Sequence, residues 1–179
     1  MSGSDDYDII IAGAGLVGAT FALAAAQGGL RPVMVDPQPF DAQLAPTFDG
    51  RATAISYANF RMLKALGLGE ALEPHACRMD RILVTDGRRP GAASRKPSAA
   101  YIRFDADEIG DRNGGEPLGY MVENRRLRVA LAEAVEARGL EVRAPAAVAD
   151  VAVGPGRATV TLKAVSYTHL RAHETKANL

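Results

Sequence analysis

An α/β fold is predicted for this chain by three features of its sequence. A short β-branched run, Asp8-Ile9-Ile10-Ile11-Ala12, leads straight into a glycine-rich turn. The turn opens an alanine-rich stretch that stops at Gly28-Gly29. A second apolar run, Pro32-Val33-Met34-Val35, follows and closes on Asp36. Strand, helix and strand in this order make a βαβ unit, with parallel strands buried on both faces.

Length and composition fit that class. The chain has 179 residues, enough for one domain, or for one domain and part of another. Lys+Arg and Asp+Glu are equal at 21 each, so the formal net charge is zero. That balance argues against a nucleic-acid partner held by bulk charge. One cysteine, Cys77, excludes an internal disulfide framework and permits the cytosol. It is expected to be a small, buried or half-buried residue. The first residues, MSGSDDYD, are polar and acidic and lack the basic start of a signal peptide. Five glycines and Gln27 between Tyr7 and Leu30 favour a soluble βα unit over a membrane span. A cytoplasmic protein is the expectation.

The first strand is read from its β-branched residues, and the turn after it from Gly13, Gly15 and Gly18, spaced G-x-G-x-x-G. Each glycine has a physical task in a dinucleotide site. Gly13 allows the tight turn, Gly15 lets a pyrophosphate approach the backbone, and Gly18 lets the helix pack close to the strand. The helix start, with Leu16 and Val17, offers free N–H groups and the positive end of the helix dipole to an anion. Asp36 lies about 20 residues beyond the turn, where a carboxylate accepts both hydroxyls of a ribose. An acid there disfavours a 2′-phosphate, and so disfavours NADP in this site. These pieces together predict a Rossmann-like dinucleotide-binding domain.

The glycine turn does not distinguish FAD from NAD, because both carry an ADP half. The sequence after Asp36 is more informative. In an NAD-dependent dehydrogenase, strand and helix would resume alternating soon afterwards. Instead residues 37–50, PQPFDAQLAPTFDG, form a long loop with three prolines and no period. DGRATAIS (Asp49 to Ser56) follows, then a helical pattern through Phe60, Leu63 and Leu66 to Gly67. Arg81 to Thr85 and Ala100 to Phe104 read as strands around a solvated loop, GRRPGAASRKPS. Residues 105–118 read as loop. GYMVENRRLRVALAEAVEARG, Gly119 to Gly139, reads as a strand entering an amphipathic helix over 123–138, with Leu127, Leu131 and Val135 on one face. Leu140 to Arg143 should return to the main sheet, and Val148 to Val153 with Ala158 to Leu162 should form a hairpin around GPGR.

The glycine turn, DGRATAIS, LKALGLGEAL and GYMVENRRLRVAL, in this order, resemble the FAD-dependent aromatic hydroxylases of ubiquinone biosynthesis. These are single-component flavoprotein monooxygenases related to para-hydroxybenzoate hydroxylase. The resemblance runs from Tyr7 to about Leu162. It implies a glutathione-reductase-type FAD fold, with the start of a second, mixed β-sheet substrate domain. It places the ADP half of FAD on Gly13 to Gly18, including Gly15, Leu16 and Val17, with Asp36 at the adenosine ribose. It places Arg51 near the pyrophosphate and the flavin side of the cleft, and brings Asn124 and Arg128 to the linker of FAD. It implies O2 and a small aromatic substrate, a polyprenylated phenol, with NAD(P)H or another reductant as electron donor. It implies no catalytic side chain apart from the cofactor residues, and no metal. A prenylated substrate is compatible with association at the inner membrane or with a biosynthetic complex.

The implied division is 1–77 for the FAD-binding βαβ unit and following helix, and 78–118 for the start of the substrate sheet. Residues 119–164 return to the FAD-binding domain. Residues 165–179, VSYTHLRAHETKANL, resemble translated sequencing-adapter read-through and are expected to be a non-native tail. The His169 and His173 pair is set aside with them. The chain is accordingly expected to be a truncated, N-terminal part of a longer enzyme, without the second FAD motif of the family.

Plainer readings stand beside these. Asp49 suits an N-cap or a turn. Arg51 suits an ordinary surface position. Asn124 can cap a helix or bond a ligand. Arg128 can be an i,i+4 neighbour on a solvated face, like Arg125 and Arg126. Glu123 suits the first turn of a helix. His75 is a lone loop histidine with no role. Two other functions remain open at this point: another FAD oxidoreductase on the same scaffold, such as a dehydrogenase or halogenase, and a non-enzymatic dinucleotide-binding module.

Overall fold

The computed structural model describes residues 7–39, 44, 50–85, 101–108 and 115–164. Asp49, the loop between residues 85 and 101, and residues 165–179 with His169 and His173 lie outside the described residues.

The chain begins with the expected strand, helix and strand. Strand β1 (Ile9–Ala12) leads to helix α1 (Leu16–Gln27), and β2 (Pro32–Val35) runs parallel to β1, Ile9 opposite Pro32 and Ala12 opposite Val35. Only β2 is buried on both faces: in β1, Ile11 is buried while Ile10 is 38% exposed, because among the described residues nothing closes that face of the sheet over β1. Alanine gives α1 its propensity and lets it approach the sheet closely, with Ala22 and Leu23 fully buried. The helix stops at Gly28, and the N–H groups of Gly28, Gly29 and Leu30 satisfy the carbonyls of Ala24, Ala26 and Ala25.

β3 (Ala52–Ser56) comes next, a strand that the sequence reading did not isolate within DGRATAIS. Ser56 then caps α2 (Tyr57–Leu63), its Oγ accepting from the Asn59 N–H at 3.3 Å. Helical structure continues past the expected end, through a π-helical turn Lys64–Leu68, α3 (Gly69–Leu72) and a 3-10 turn Glu73–His75. Gly67, at φ +83°, absorbs the kink.

β4 (Cys77–Met79) was not anticipated, and Cys77 is exposed rather than buried. β5 (Arg81–Thr85) and β6 (Tyr101–Asp105) pair as an antiparallel ribbon. β7 (Gly119–Glu123) runs into α4 (Asn124–Ala137), and β8 (Glu141–Arg143) joins the parallel sheet beside β2. β9 (Ala146–Gly154) and β10 (Arg157–Ala164) form the expected hairpin, longer than the sequence reading gave. The sheets are thus β1-β2-β8, all parallel; β3-β7-β4, antiparallel; and two ribbons, β5-β6 and β9-β10.

The core joins the first two sheets through the helices. α1 packs on α4, and Leu23, Met34, Phe60, Leu72, Val122, Leu131 and Val135 form one buried cluster. Leu127, Leu131 and Val135 are the buried stripe of α4, as their spacing predicts, and each contributes roughly 1.5–3 kcal/mol of burial. Phe60 and Tyr120 meet with ring centroids 4.2 Å apart, holding α2 on β7. Arg138, just past α4, donates to the carbonyls of Leu23 at 3.2 Å and Leu66 at 2.6 Å. This clamp fixes α4 against α1 and the π-helical turn. It sets the opposite end of α4, where Asn124 lies, relative to the glycine turn.

Candidate functional site

The glycine turn lies where β1 ends and α1 begins, beside the end of β2. Gly13 has φ +105°, a conformation that favours glycine, and its N–H donates to the Val35 carbonyl at 2.7 Å. A Cβ on Gly18 would fall 1.9 Å from the Gly13 carbonyl oxygen and 3.3 Å from the Ile11 side chain. Gly18 is therefore required by the close packing of helix on strand. Gly15 differs, because among the described residues nothing lies within 4 Å of the place its Cβ would take. Internal packing gives no reason for glycine there, whereas close approach of a ligand to the backbone does.

Gly15 is also the N-cap of α1, and no side chain caps this helix. Its first turn carries no acidic residue. The leading N–H groups of a helix have no intrahelical partner, so Leu16 and Val17 present donors and a positive dipole end. Val17 is 84% exposed and contributes only backbone to this arrangement.

Asp36 is 8% exposed, and each oxygen of its side chain accepts one backbone N–H. Oδ2 accepts from the Ala14 N–H at 2.8 Å, and Oδ1 from the Gln38 N–H at 2.8 Å. Its own N–H donates to the Arg143 carbonyl, and its carbonyl accepts from the Ala146 N–H. Asp36 therefore ties the glycine turn to the ends of β2 and β8, a role that the sequence reading missed. A carboxylate oxygen accepts more than one bond, so both oxygens keep capacity for ribose hydroxyls.

Arg128 comes to the same place from α4. A small recess is lined by Ala14, Gly15, Leu16, Leu44 and Arg128. Asn124 stands one helical turn before Arg128. The β3–β7 ladder sets Ala52 opposite Glu123, which puts the flanking residues Arg51 and Asn124 side by side. Their backbones are joined, the Asn124 N–H donating to the Arg51 carbonyl at 3.0 Å. The Arg51 side chain is exposed. Glu123 is the N-cap of α4 rather than a first-turn residue, and it pairs with Arg125.

The structure thus gathers Gly13, Gly15, Leu16, Val17, Gly18, Asp36 and Arg128 around one helix start, and brings Arg51 to Asn124 at the neighbouring ladder end. Ala14 and Thr53 are the two partners that sequence reasoning missed. Ala14 acts through its N–H alone, which no side chain advertises. Thr53 meets Asn124 only through strand pairing across the chain. A larger recess, about 940 Å³, lies between the β9-β10 hairpin and the face of the parallel sheet that carries Ile10 and Val33. Its walls mix aliphatic side chains with the polar ones of Asp8, Arg143, Arg157 and Thr159.

A family model described as an FAD binding domain matches residues 6–168. Ubiquinone hydroxylase UbiL of Rhodospirillum rubrum is 36% identical over 133 residues, covering 73% of this chain and 28% of that protein. The 3-demethoxyubiquinol 3-hydroxylase of Escherichia coli is 37% identical over 133 residues, covering 73% of this chain and 30% of that protein. The chain therefore spans less than a third of the length of these curated relatives. Among solved structures, the flavin-dependent monooxygenase PieE in complex with FAD and substrate matches with a TM-score of 0.63 at 20% identity, covering 89% of this chain and 27% of that one. This last likeness is one of fold, the mixed α/β fold of FAD-binding monooxygenases.

Proposed function

The chain belongs to the family of FAD-binding domains, and from that premise we propose that it holds the ADP half of FAD within an aromatic-ring monooxygenase. The observation that carries the reading is Gly15. It is a glycine at a helix start with no side-chain cap and, among the described residues, open space where a Cβ would lie. The residues present fit the cofactor. Gly13, Gly15 and Gly18 with the N–H groups of Leu16 and Val17 would receive the pyrophosphate. Asp36 would accept the adenosine ribose, and Arg51, Asn124 and Arg128 would meet the linker toward the flavin. Arg128 adds a charged fork that suits phosphate oxygens.

In this reading residues 1–77 and 119–164 form the cofactor part, Rossmann-like and of glutathione-reductase type, and 78–118 begin the substrate sheet. When bound, FAD supplies the oxygen-activating chemistry of ring hydroxylation, with NAD(P)H or another reductant as electron source. The residues of this chain bind the cofactor and orient it. The names of the two relatives support a quinol or phenol ring as substrate of the whole protein. A prenyl tail on that ring would bring the protein to a membrane surface, although no helix among the described residues is long and apolar enough to cross one.

The test is calorimetric titration of this chain with FAD, FMN and NAD. FAD is expected to bind; FMN, which lacks the ADP half, is not. Gly15→Val is expected to abolish FAD binding while lowering the thermal midpoint only slightly, by the cost of valine at an N-cap. FMN binding as tightly as FAD, or Gly15→Val keeping full affinity, would overturn the reading. Oxygen-dependent formation of a hydroxylated product by the whole protein tests the reaction, and oxidation without oxygen insertion would point to a dehydrogenase instead.

A further inference from the structure

Asn124 has a side-chain amide with two chemically different ends. The oxygen accepts hydrogen bonds and the NH2 donates them. Which end faces a ligand decides whether the residue attracts or repels phosphate oxygens. In this fold one end is already committed. The Thr53 hydroxyl, one strand position beyond Ala52 on β3, donates to Asn124 Oδ1 at 2.6 Å. The backbone of Asn124 is held as well, by its N–H bond to the Arg51 carbonyl. Among the described residues, Nδ2 has no hydrogen-bond partner, and no buried side-chain nitrogen or oxygen lacks one. Nδ2 is therefore accessible to solvent, with two N–H donors, while the Oδ1 end is held by Thr53.

We propose that Thr53 is a positioning residue that locks the Asn124 amide with its donors toward the pyrophosphate linker of the cofactor. The proposal rests on the reading of Asn124 as a residue at the FAD linker. Three features of the pair support it. The bond joins two strand ends far apart in sequence, so it exists only once β3 and β7 are paired. A freely rotating amide would spend part of its time with its oxygen toward the anion. The hydroxyl contact removes that state, and with it the ordering cost at binding. Asn124 also lies at the first position of α4, where the positive end of the helix dipole favours an anion beside its donors. An aliphatic side chain at position 53 would preserve the strand and lose only the lock, since valine matches threonine in shape and favours strands.

The test is FAD affinity by calorimetry for this chain carrying Thr53→Val, Thr53→Ser, Asn124→Ala, or Thr53→Val with Asn124→Ala, each with its thermal midpoint measured without FAD. Thr53→Val is expected to weaken FAD about tenfold, the loss of roughly one oriented hydrogen bond. Thr53→Ser, which keeps the hydroxyl, is expected to restore affinity to near the parent value. In the Asn124→Ala background, Thr53→Val is expected to change affinity no further, because the amide it orients is gone. Asn124→Asp adds a second measurement. It keeps an acceptor for Thr53 but replaces the donors with an oxygen, so it should weaken FAD more than Asn124→Ala does. Equal losses in Thr53→Val and Thr53→Ser, or additive losses in the double variant, would overturn the positioning role and leave the site reading standing. Unchanged affinity in Asn124→Ala would overturn the site reading at Asn124, and the inference with it.

Discussion

The two ends of the parallel sheet carry polar groups in opposite arrangements. At the carboxyl ends of the strands, Asp36 is buried and bonds to the backbone of the glycine turn, while the uncapped start of α1 faces outward. Near the amino ends, Tyr7, Arg31 and Glu141 gather before or at the starts of β1, β2 and β8, and Arg143 lies on the same face of β8 as Glu141. Here the side chains satisfy one another. Tyr7 donates to Glu141, Arg143 bonds both, and Arg31 stacks over the Tyr7 ring at 4.7 Å. One end spends its polar side chain on shaping backbone donors for something outside the chain. The other end closes on itself. The difference separates a binding site from a surface cluster more clearly than charge does, since the second end has more ionisable groups. It also agrees with the general placement of ligands at the carboxyl ends of strands in open α/β sheets.

The largest effect that sharpens this contrast lies within the glycine turn itself. Gly18→Ala puts a Cβ 1.9 Å from the Gly13 carbonyl, a backbone atom that cannot step aside. Helix and strand must separate, at a cost of about 3 kcal/mol, the upper end for overpacking. Urea unfolding is expected to show a lower midpoint with an unchanged slope. Gly15→Ala, by contrast, should cost at most about 1 kcal/mol, the penalty for alanine at an N-cap, because it meets no clash among the described residues. Equal stability of the two variants would mean that the turn is not divided into a packing glycine and a ligand glycine.

Asp36 supplies the next test, since it serves both structure and binding. Asp36→Ala orphans the N–H groups of Ala14 and Gln38, and about 2–3 kcal/mol of stability should go with them. Loss of FAD in that variant would then follow from the distorted turn alone. Asp36→Asn is the sharper probe. It keeps one oxygen acceptor, so its stability loss should be about half as large, while the ribose loses a charged partner and affinity falls about tenfold. If Asp36→Asn binds FAD as the parent does, Asp36 shapes the turn and does not hold the ribose.

How much of this was legible beforehand follows from how local each signal is. The glycine turn, Asp36 and the stripe Leu127, Leu131, Val135 are written in short windows, and the structure places them as their spacing implies. β3 and β4 were not read, because ATAIS and CRM are too short to carry a period and become strands only by pairing with β7. The same pairing sets Cys77 at an exposed position instead of a buried one. The contact between Thr53 and Asn124 depends on that register too, so no local pattern could announce it. The β5-β6 ribbon shows the reverse case. Both of its strands are legible in the sequence, yet Ile82, Val84, Ile102 and Phe104 share a face that the described residues leave exposed. Residue type announces a strand, and says nothing of what covers its face.

The smallest effect tests the other end of the sheet. Tyr7 holds the Glu141 carboxyl below its ordinary range by donating to it, and Arg143 adds to the shift. The same hydrogen bond to Glu141 raises the Tyr7 hydroxyl above its ordinary value. The signs follow from linkage. A depressed carboxyl stabilises the fold above its unfolded pKa, and that contribution disappears as pH falls through the lower folded value. A raised tyrosine stabilises below its unfolded pKa, and that contribution disappears as pH rises through the higher folded value. Tyr7→Phe should therefore flatten both the acid and the alkaline limbs of the stability profile. Both groups are largely open to solvent, so less than about 1 kcal/mol is at stake at neutral pH. Thermal midpoints between pH 3 and pH 11, spanning roughly the ordinary carboxylate and tyrosine ranges, would record the change. FAD affinity should stay at the parent value throughout, because this cluster is satisfied internally and lies away from the glycine turn. A fall in affinity on removing one exposed hydroxyl would couple the two ends of the sheet, and the contrast between an open end and a closed one would fail.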